Sequence, residues 1–480
     1  MSDRAPVVSE AAGYGELSRA LLRLAIPAAS TGLLETLVFL ADRVMLGRYS
    51  QEALASMHVQ GPVIWSLFSV FMGVCVGSVS VVARSVGARD LATSRAASRS
   101  TVALAAGSGA VVALGAWVAT PWLVAWVGPE SPEIGALSVT YLRIALFGFP
   151  GLFVATAAAM VLGAAGDTRT PFAVAGVTNL VNVALNQLLI FGAAPIGLPA
   201  LGVAGAAIAG VIAFTLQAAL LLRVLRRSGS PVCIRGETYQ APITREILRV
   251  SSPVLVERVV FHLGYLGYAA VISRMGALVM AGHQALLTLE AVCFLTAQGF
   301  GVATAALVGQ SLGRRDVAGA RRAGLLGAGL SAAVLTALGL VIWWSGPLTL
   351  RAFVAREQGP EAAEQLIQAG LVALPLLALS QPFMAVGAVL CDALRGAGAT
   401  RPPLVVTLVG SLAIRIPLVI GLGLIAGGGT AAVWTASALD WAVRAALALA
   451  IFVGPGWTRV SVRTSPCADE AGAVEGAASS

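Results

Sequence analysis

Twelve long apolar blocks, separated by short polar stretches, divide the chain, with approximate limits 24–46, 53–82, 97–119, 136–162, 171–192, 201–223, 249–273, 278–308, 321–344, 366–392, 403–425 and 430–453. Each reaches the about 20 residues that a helix needs to cross a ~30 Å hydrocarbon core. In lipid the backbone must satisfy its own hydrogen bonds, so the pattern predicts an all-α polytopic membrane protein of twelve transmembrane helices. Composition agrees. Hydrophobic residues make up 58% of the chain and charged residues 11%, against about 25% charged in a soluble domain. Such a chain cannot cover a water-facing surface. The first 23 residues are polar and lack the apolar core of a cleavable leader, so the first block is expected to stay as an anchor.

The formal charge of +8 comes from 31 basic residues scattered between apolar blocks, and every one is an arginine. No basic stripe interleaved with aromatics exists, which argues against nucleic acid as a partner. The absence of lysine removes a Walker A loop, a Schiff-base amine and a Ser–Lys hydrolase from consideration. No enzyme and no cofactor is expected. With the N-terminus inside, most arginines fall in the connections that face the cytoplasm, including Arg84, Arg89, Arg95, Arg226, Arg235, Arg314, Arg315 and Arg395. Trp117, Trp122, Trp126, Trp343 and Trp344 fall where an outer aromatic belt belongs. The pattern predicts a multi-pass plasma-membrane protein with both termini cytoplasmic. Cys75, Cys233, Cys293, Cys391 and Cys467 show no metal-ligand spacing and read as free thiols.

An internal repeat runs through the chain. Ala83-Arg84-Ser85-Val86-Gly87-Ala88-Arg89-Asp90 aligns with Gly309-Gln310-Ser311-Leu312-Gly313-Arg314-Arg315-Asp316, and the same offset pairs Pro27 with Pro253, Gly73 with Gly299 and Trp117 with Trp343. Leu162-Gly163-Ala164-Ala165-Gly166 matches Leu394-Arg395-Gly396-Ala397-Gly398 at a slightly larger offset, the difference falling in the longer connection near 345–365. Each half then holds six spans pointing the same way, and parallel repeats of this kind build transporters whose two lobes enclose a cavity. The expected organisation is a cytoplasmic segment 1–23, an N-lobe 24–223, a cytoplasmic linker 224–246, a C-lobe 247–457 and a disordered tail 458–480. Gly309-Gln310-Ser311-Leu312-Gly313 fits a G-x-S-x-G nucleophile pattern literally, but that elbow needs a strand-to-helix turn, and here it ends a membrane helix.

Ionisable groups inside spans are costly, about 2.5–3.5 kcal/mol each, so each needs a reason. Glu35 and Asp42 lie seven residues apart on the first span, nearly on one face and about 10.5 Å apart along it. A carboxylate there could load and release a proton, or hold a sodium ion together with amide oxygens. Asn179, Asn182 and Asn186 on span 5 supply such amides. Pro27 removes a helix hydrogen bond and could let span 1 bend. Glu290 sits mid-span on span 8 with Gln284 and His283 nearer its outer end; it is read as a contact for a cationic substrate, as the carrier of a second proton, or as the partner of Arg415. Helix packing is the plainer reading of His283. Asp440 and Arg444, four apart, suit an intrahelical ion pair. Glu257 and Asp392 lie near the cytoplasmic ends of their spans and read as structural.

Pro27 followed by Leu40-Ala41-Asp42-Arg43-Val44-Met45-Leu46-Gly47, Gly282-His283-Gln284, Leu307-Val308-Gly309-Gln310-Ser311-Leu312-Gly313, Leu394-Arg395-Gly396-Ala397-Gly398 and Asn182-Val183-Ala184-Leu185-Asn186 occur in this order. The ordered set resembles the multidrug and toxic compound extrusion (MATE) family across essentially all twelve spans. The resemblance implies a two-lobed bundle and a secondary antiporter that exports organic, often cationic or amphipathic compounds in exchange for H+ or Na+. It assigns Asp42 the ion-coupling role and sets Asn182 and Asn186 beside it. Many members carry an Asp where this chain has Asn186 and a hydroxyl where it has Gly210, so the site has one carboxylate fewer and the coupling ion stays open. The partners implied are a small organic substrate and membrane lipid, with the protein a monomer. The alternative reading is a lipid-linked headgroup flippase of the same broad superfamily. It calls for a cationic cavity, whereas the mid-membrane charges of the first half are acidic.

Overall fold

The computed structural model describes residues 13–192, 195, 197–351 and 360–461. Most of the N-terminal polar segment, part of the connection after span 9 with Arg356, and the tail from 462 with Cys467 lie outside the described residues. Among the described residues, twelve helices long and apolar enough to span a membrane follow one another: α1 (Tyr14–Tyr49), α2 (Gln51–Gly87), α3 (Leu91–Val127), α4 (Pro132–Ala164), α5 (Arg169–Phe191), α6 (Gly202–Leu225), α7 (Ala241–Ser273), α8 (Ala277–Gly313), α9 (Val317–Arg351), α10 (Pro360–Gly396), α11 (Arg401–Ile425) and α12 (Gly429–Val453). A short α13 (Gly456–Ser461) follows.

Several helices run past their apolar blocks. The 37 residues of α2 extend about 55 Å at 1.5 Å per residue, well beyond the hydrocarbon core. Polar side chains fix where the next helices start. Ser50 accepts a hydrogen bond from the Ala53 amide, Asp90 from Thr93 and Ser131 from Ile134, each satisfying an orphan donor of the following helix. Hydropathy does not register these polar turns. Two spans are irregular: α4 is interrupted by a 3₁₀ turn at Leu146–Gly148 just before Pro150, and α11 winds as π-helix over Val409–Arg415 and Val419–Ile425. Pro417 lies between the two π segments.

The repeat is written into the backbone. Arg89 and Arg315, equivalent in the repeat, both take left-handed φ values, 59° and 65°, and Gly166 and Gly398 do so at 92° and 80°. The amide of Asp90 bonds the Ser85 carbonyl and that of Asp316 the Ser311 carbonyl, both at 2.9 Å. Asp90 and Asp316 then each cap the next helix. Thr168 donates to the Leu24 carbonyl at 2.8 Å, and Thr400 donates to the equivalent Val250 carbonyl at 2.7 Å. Both halves therefore tie their fifth span to their first by the same bond.

Helices α1–α6 and α7–α12 meet mainly where α1 packs on α8 and where α2 packs on α7 and α8. The arginine-bearing turns α2–α3 and α8–α9 sit at one end of the bundle. Trp122, Trp126, Trp343 and Trp344 are exposed near the other. The stretch between α6 and α7, expected as a plain linker, folds back: Val232 and Ile234 are buried in the core of the first half, and the Ile234 amide bonds the Leu225 carbonyl at 2.9 Å.

Candidate functional site

The two halves touch only along part of their length. From the arginine-rich end, Gly77 lies against Ile247 and Ser251, Gly73 against Leu255, Gly299 against Ala29, and Gly32 against Leu295. Beyond that level the same helix faces become exposed: Glu35 and Phe39 on α1, Ser66 and Val70 on α2, Val259 and Leu266 on α7, and Val292, Thr288 and Gln284 on α8. Glycine permits the close approach at the contacts, and larger side chains line the walls where the halves diverge. The result is a cleft open at the end opposite the arginine-rich turns.

Asp42 lies further along α1, toward the inside of the first half. Its Oδ1 accepts a hydrogen bond from Asn186 Nδ2, which also donates to Asn182 Oδ1 at 3.1 Å. Asn182 and Asn186 are one turn apart on α5 and both buried. Tyr141 of α4 is close enough to interact electrostatically with Asp42. Leu46 and Ile190, one turn on from Asp42 and Asn186, pack with Met57 and Val203 in an apolar cluster. Two amide groups are left over: Asn186 Oδ1 and Asn179 Nδ2 are buried without a hydrogen-bond partner. Asp42 makes no ion pair among the described residues. The guanidinium of its neighbour Arg43 instead sits over the Phe39 ring at 4.6 Å. Asp42, Asn182 and Asn186 thus form one group, with a carboxyl oxygen and an unused amide oxygen among them.

Glu35 is not part of it. Its side chain is exposed at the cleft wall and has no hydrogen bond or ion pair among the described residues. Pro27 lies inside an α1 that stays helical throughout; the carbonyl of Pro27 accepts a bond from Thr31 at 2.9 Å.

The second half holds its charges differently. Asp440 is fully buried and pairs with Arg444 at 2.6 Å, as its spacing suggests, but also with Arg415 of the π-helical α11 at 2.6 Å. The Arg415–Glu290 partnership is therefore replaced by Arg415–Asp440. The reason is geometric: Gly410 leaves room on α11 for the Asp440 and Arg444 side chains, which a Cβ there would meet. Glu290 stays in electrostatic contact with Arg415 and Asp440, beside Trp441, and its Oε1 is buried without a hydrogen bond. His283 does not reach the cleft. It is 4% exposed and packed edge-on against Tyr268 and beside Trp434. Gln284, one residue on, is exposed toward the cleft. Glu257 and Asp392 do not end in interfacial water. Arg395 joins them at 2.6 Å each, and Thr407 donates to Glu257 at 2.8 Å. Sequence spacing alone missed Tyr141, Arg395 and the third member of the Asp440 cluster, because these contacts join distant spans.

The MatE family model matches residues 27–188 and 253–420. A probable multidrug resistance protein NorM of Thermotoga maritima is 28% identical over 461 residues, covering 95% of this chain and 97% of its own length. A probable multidrug resistance protein NorM of Deinococcus radiodurans is 32% identical, with 90% and 93% covered. A solved structure described as the outward-facing conformation of a multidrug resistance MATE family transporter of the MOP superfamily superposes with a TM-score of 0.82 at 21% identity, covering 93% and 97%.

Proposed function

The chain belongs to the MatE family of membrane transporters, and on that premise we propose that it is a secondary antiporter exporting organic, often cationic or amphipathic compounds in exchange for H+ or Na+. The working units are an N-lobe (24–223) and a C-lobe (247–457), with 224–246 between them and both termini in the cytoplasm. The arginine-rich end then faces the cytoplasm and the cleft opens outward, in keeping with the positive-inside rule. Substrate enters between the lobes and is released from this cleft. Glu35, Gln284 and Glu290 supply the acidic and polar groups that favour a cationic guest; His283 shapes this wall from behind by packing. Pro27 is the hinge that lets α1 move its outer half.

Asp42 carries the coupling ion. The observation that supports this reading most is the group formed by Asp42, Asn182 and Asn186, which is free of any arginine and retains a buried, unpartnered amide oxygen. A proton on Asp42, or a sodium ion held by its carboxylate and the amide oxygens of Asn182 and Asn186, neutralises the same charge. Asn179, one turn below Asn182, adds a further polar group at the rim. Ion loading changes the balance between outward- and inward-open states because it binds one of them better. Few cationic groups line the cleft, so a pyrophosphate-bearing lipid is not favoured as cargo.

In everted vesicles, Asp42→Asn is expected to bind a cationic dye but to lose dye-driven H+ or Na+ release. Exchange at the unmodified rate would remove Asp42 from the mechanism. Repeating the assay with a pH gradient alone and a sodium gradient alone assigns the ion.

A further inference from the structure

The two repeated motifs that end α2 and α8 interlock across the lobe boundary. The helices cross so closely that a Cβ on Gly87 would meet the backbone of Gln310, and a Cβ on Gly313 would meet the carbonyl of Arg84. Gly87 and Gly313 are equivalent in the repeat, and so are Arg84 and Gln310. Each glycine therefore receives the other lobe's copy of the residue three positions before it. Gly309 sits on Ala83 in the same layer.

The side chains are exchanged as well. Gln310 Nε2 crosses to the N-lobe and donates to the Ala164 carbonyl at 2.9 Å in a buried bond. Ala164 lies in the turn Leu162–Gly166. Arg84 crosses the other way: its guanidinium lies against Gly398, in the equivalent turn Leu394–Gly398, and interacts electrostatically with Glu246. One further cross-lobe bond, Gly77 N–H to Ser251 Oγ at 2.9 Å, lies a few turns along.

We infer that these motifs form a reciprocal clasp that seals the arginine-rich side, with Gly87, Gly313, Gln310 and Arg84 acting as positioning residues that set the balance between the two open states. Each lobe's helix end fits the other lobe's helix end and turn, so opening toward the arginine-rich side must break both halves of the clasp together. Loss of the Gln310 bond would leave the Ala164 carbonyl buried and unpaired unless water enters, which ties the seal to its hydration. The two arms differ in chemistry: one is a neutral amide bond and the other lays a guanidinium against a glycine turn.

This inference relies on the transporter reading only for the existence of two open states, and its test needs neither substrate nor ion gradient. In an otherwise cysteine-free full-length chain in vesicles, Thr288→Cys reports access from the cleft side and Leu255→Cys reports access from the arginine-rich side. Labelling uses a membrane-impermeant maleimide applied to each side in turn. Gly87→Ala and Gly313→Ala suit a helix better than glycine does, so only the cross-lobe contact is penalised. Each is expected to raise labelling of Leu255→Cys from the arginine-rich side about tenfold and to lower labelling of Thr288→Cys, while Gly329→Ala, which has open space around it, changes neither. Gln310→Leu, which keeps the volume and removes the donor, is expected to act in the same direction and stands in if the glycine variants do not fold. Unchanged labelling in a folded Gly87→Ala or Gln310→Leu protein with an unaltered Tm overturns the clasp.

Discussion

At the scale of single residues, the two halves treat buried charge in opposite ways. Asp42 meets only neutral amides, whereas Asp440 is held between two guanidinium groups. A carboxyl group bonded only to neutral amides is open to take up a cation; one clamped by Arg415 and Arg444 is not, without stranding both guanidinium groups. Ser411 adds to this clamp by accepting from Arg444 at 2.7 Å, and the Trp441 ring lies under Arg444 at 4.9 Å. Removing one member of a buried ion network costs about 3–5 kcal/mol, because the remaining charge is left uncompensated. Asp440→Ala is therefore expected to lower the detergent-solubilised Tm sharply, and Asp42→Ala to leave it nearly unchanged. Equal melting shifts for the two would contradict this division between a structural and an exchangeable carboxylate.

At the scale of elements, the helix ends are governed by polar turns that hydropathy does not see. The α2–α3 and α8–α9 turns are built alike, with a left-handed arginine followed by an aspartate that caps the next helix. Loss of an N-cap costs about 1 kcal/mol. Asp90→Ala and Asp316→Ala should thus destabilise by similar amounts. Chemical unfolding followed by tryptophan fluorescence would measure this, and a cost in only one of the two would mean the repeat is not preserved energetically. The irregular α11 has no such counterpart in α5, its repeat equivalent, which is a regular helix from Arg169 to Phe191. The π segments bring Arg415 to Asp440, so the asymmetry between the halves is one of chemistry as much as of shape.

At the scale of the whole molecule, the chain between α6 and α7 is an anchored part of the first half. Val232 and Ile234 are buried with Leu225, Ile243 and Ile247, while Arg235 and Gly236 are exposed. A cut after Gly236 leaves the core clusters shared between the two fragments, Leu17, Leu21 and Ala25 packing with the second half and Ile243 and Ile247 with the first. Fragments 1–236 and 237–480, expressed together, are expected to purify as one complex, held by the α1–α8 and α2–α7 contacts. Trimming the first fragment back to 1–229 should lower the yield of complex by exposing the surface that Val232 and Ile234 cover. Recovery of the two fragments as separate species would show that the covalent connection, and not the packed interface, holds the halves together.

The twelve spans were legible in the residues, because the length of an apolar run is a local quantity; that Asp42 meets Asn186 followed only from the family resemblance. Legible too was the Asp440–Arg444 pair, whose members lie one helical turn apart. Other features depended on which distant helices meet. Among these are the exchange of Arg415 from Glu290 to Asp440, the seating of His283 among aromatic rings, the joining of Glu257 and Asp392 by Arg395, and the separation of Glu35 from the Asp42 group. The repeat could be read as two aligned motifs, but not that each copy grips the other. Spacing along a chain determines what a helix presents, and only the packing of two halves determines what that face is presented to.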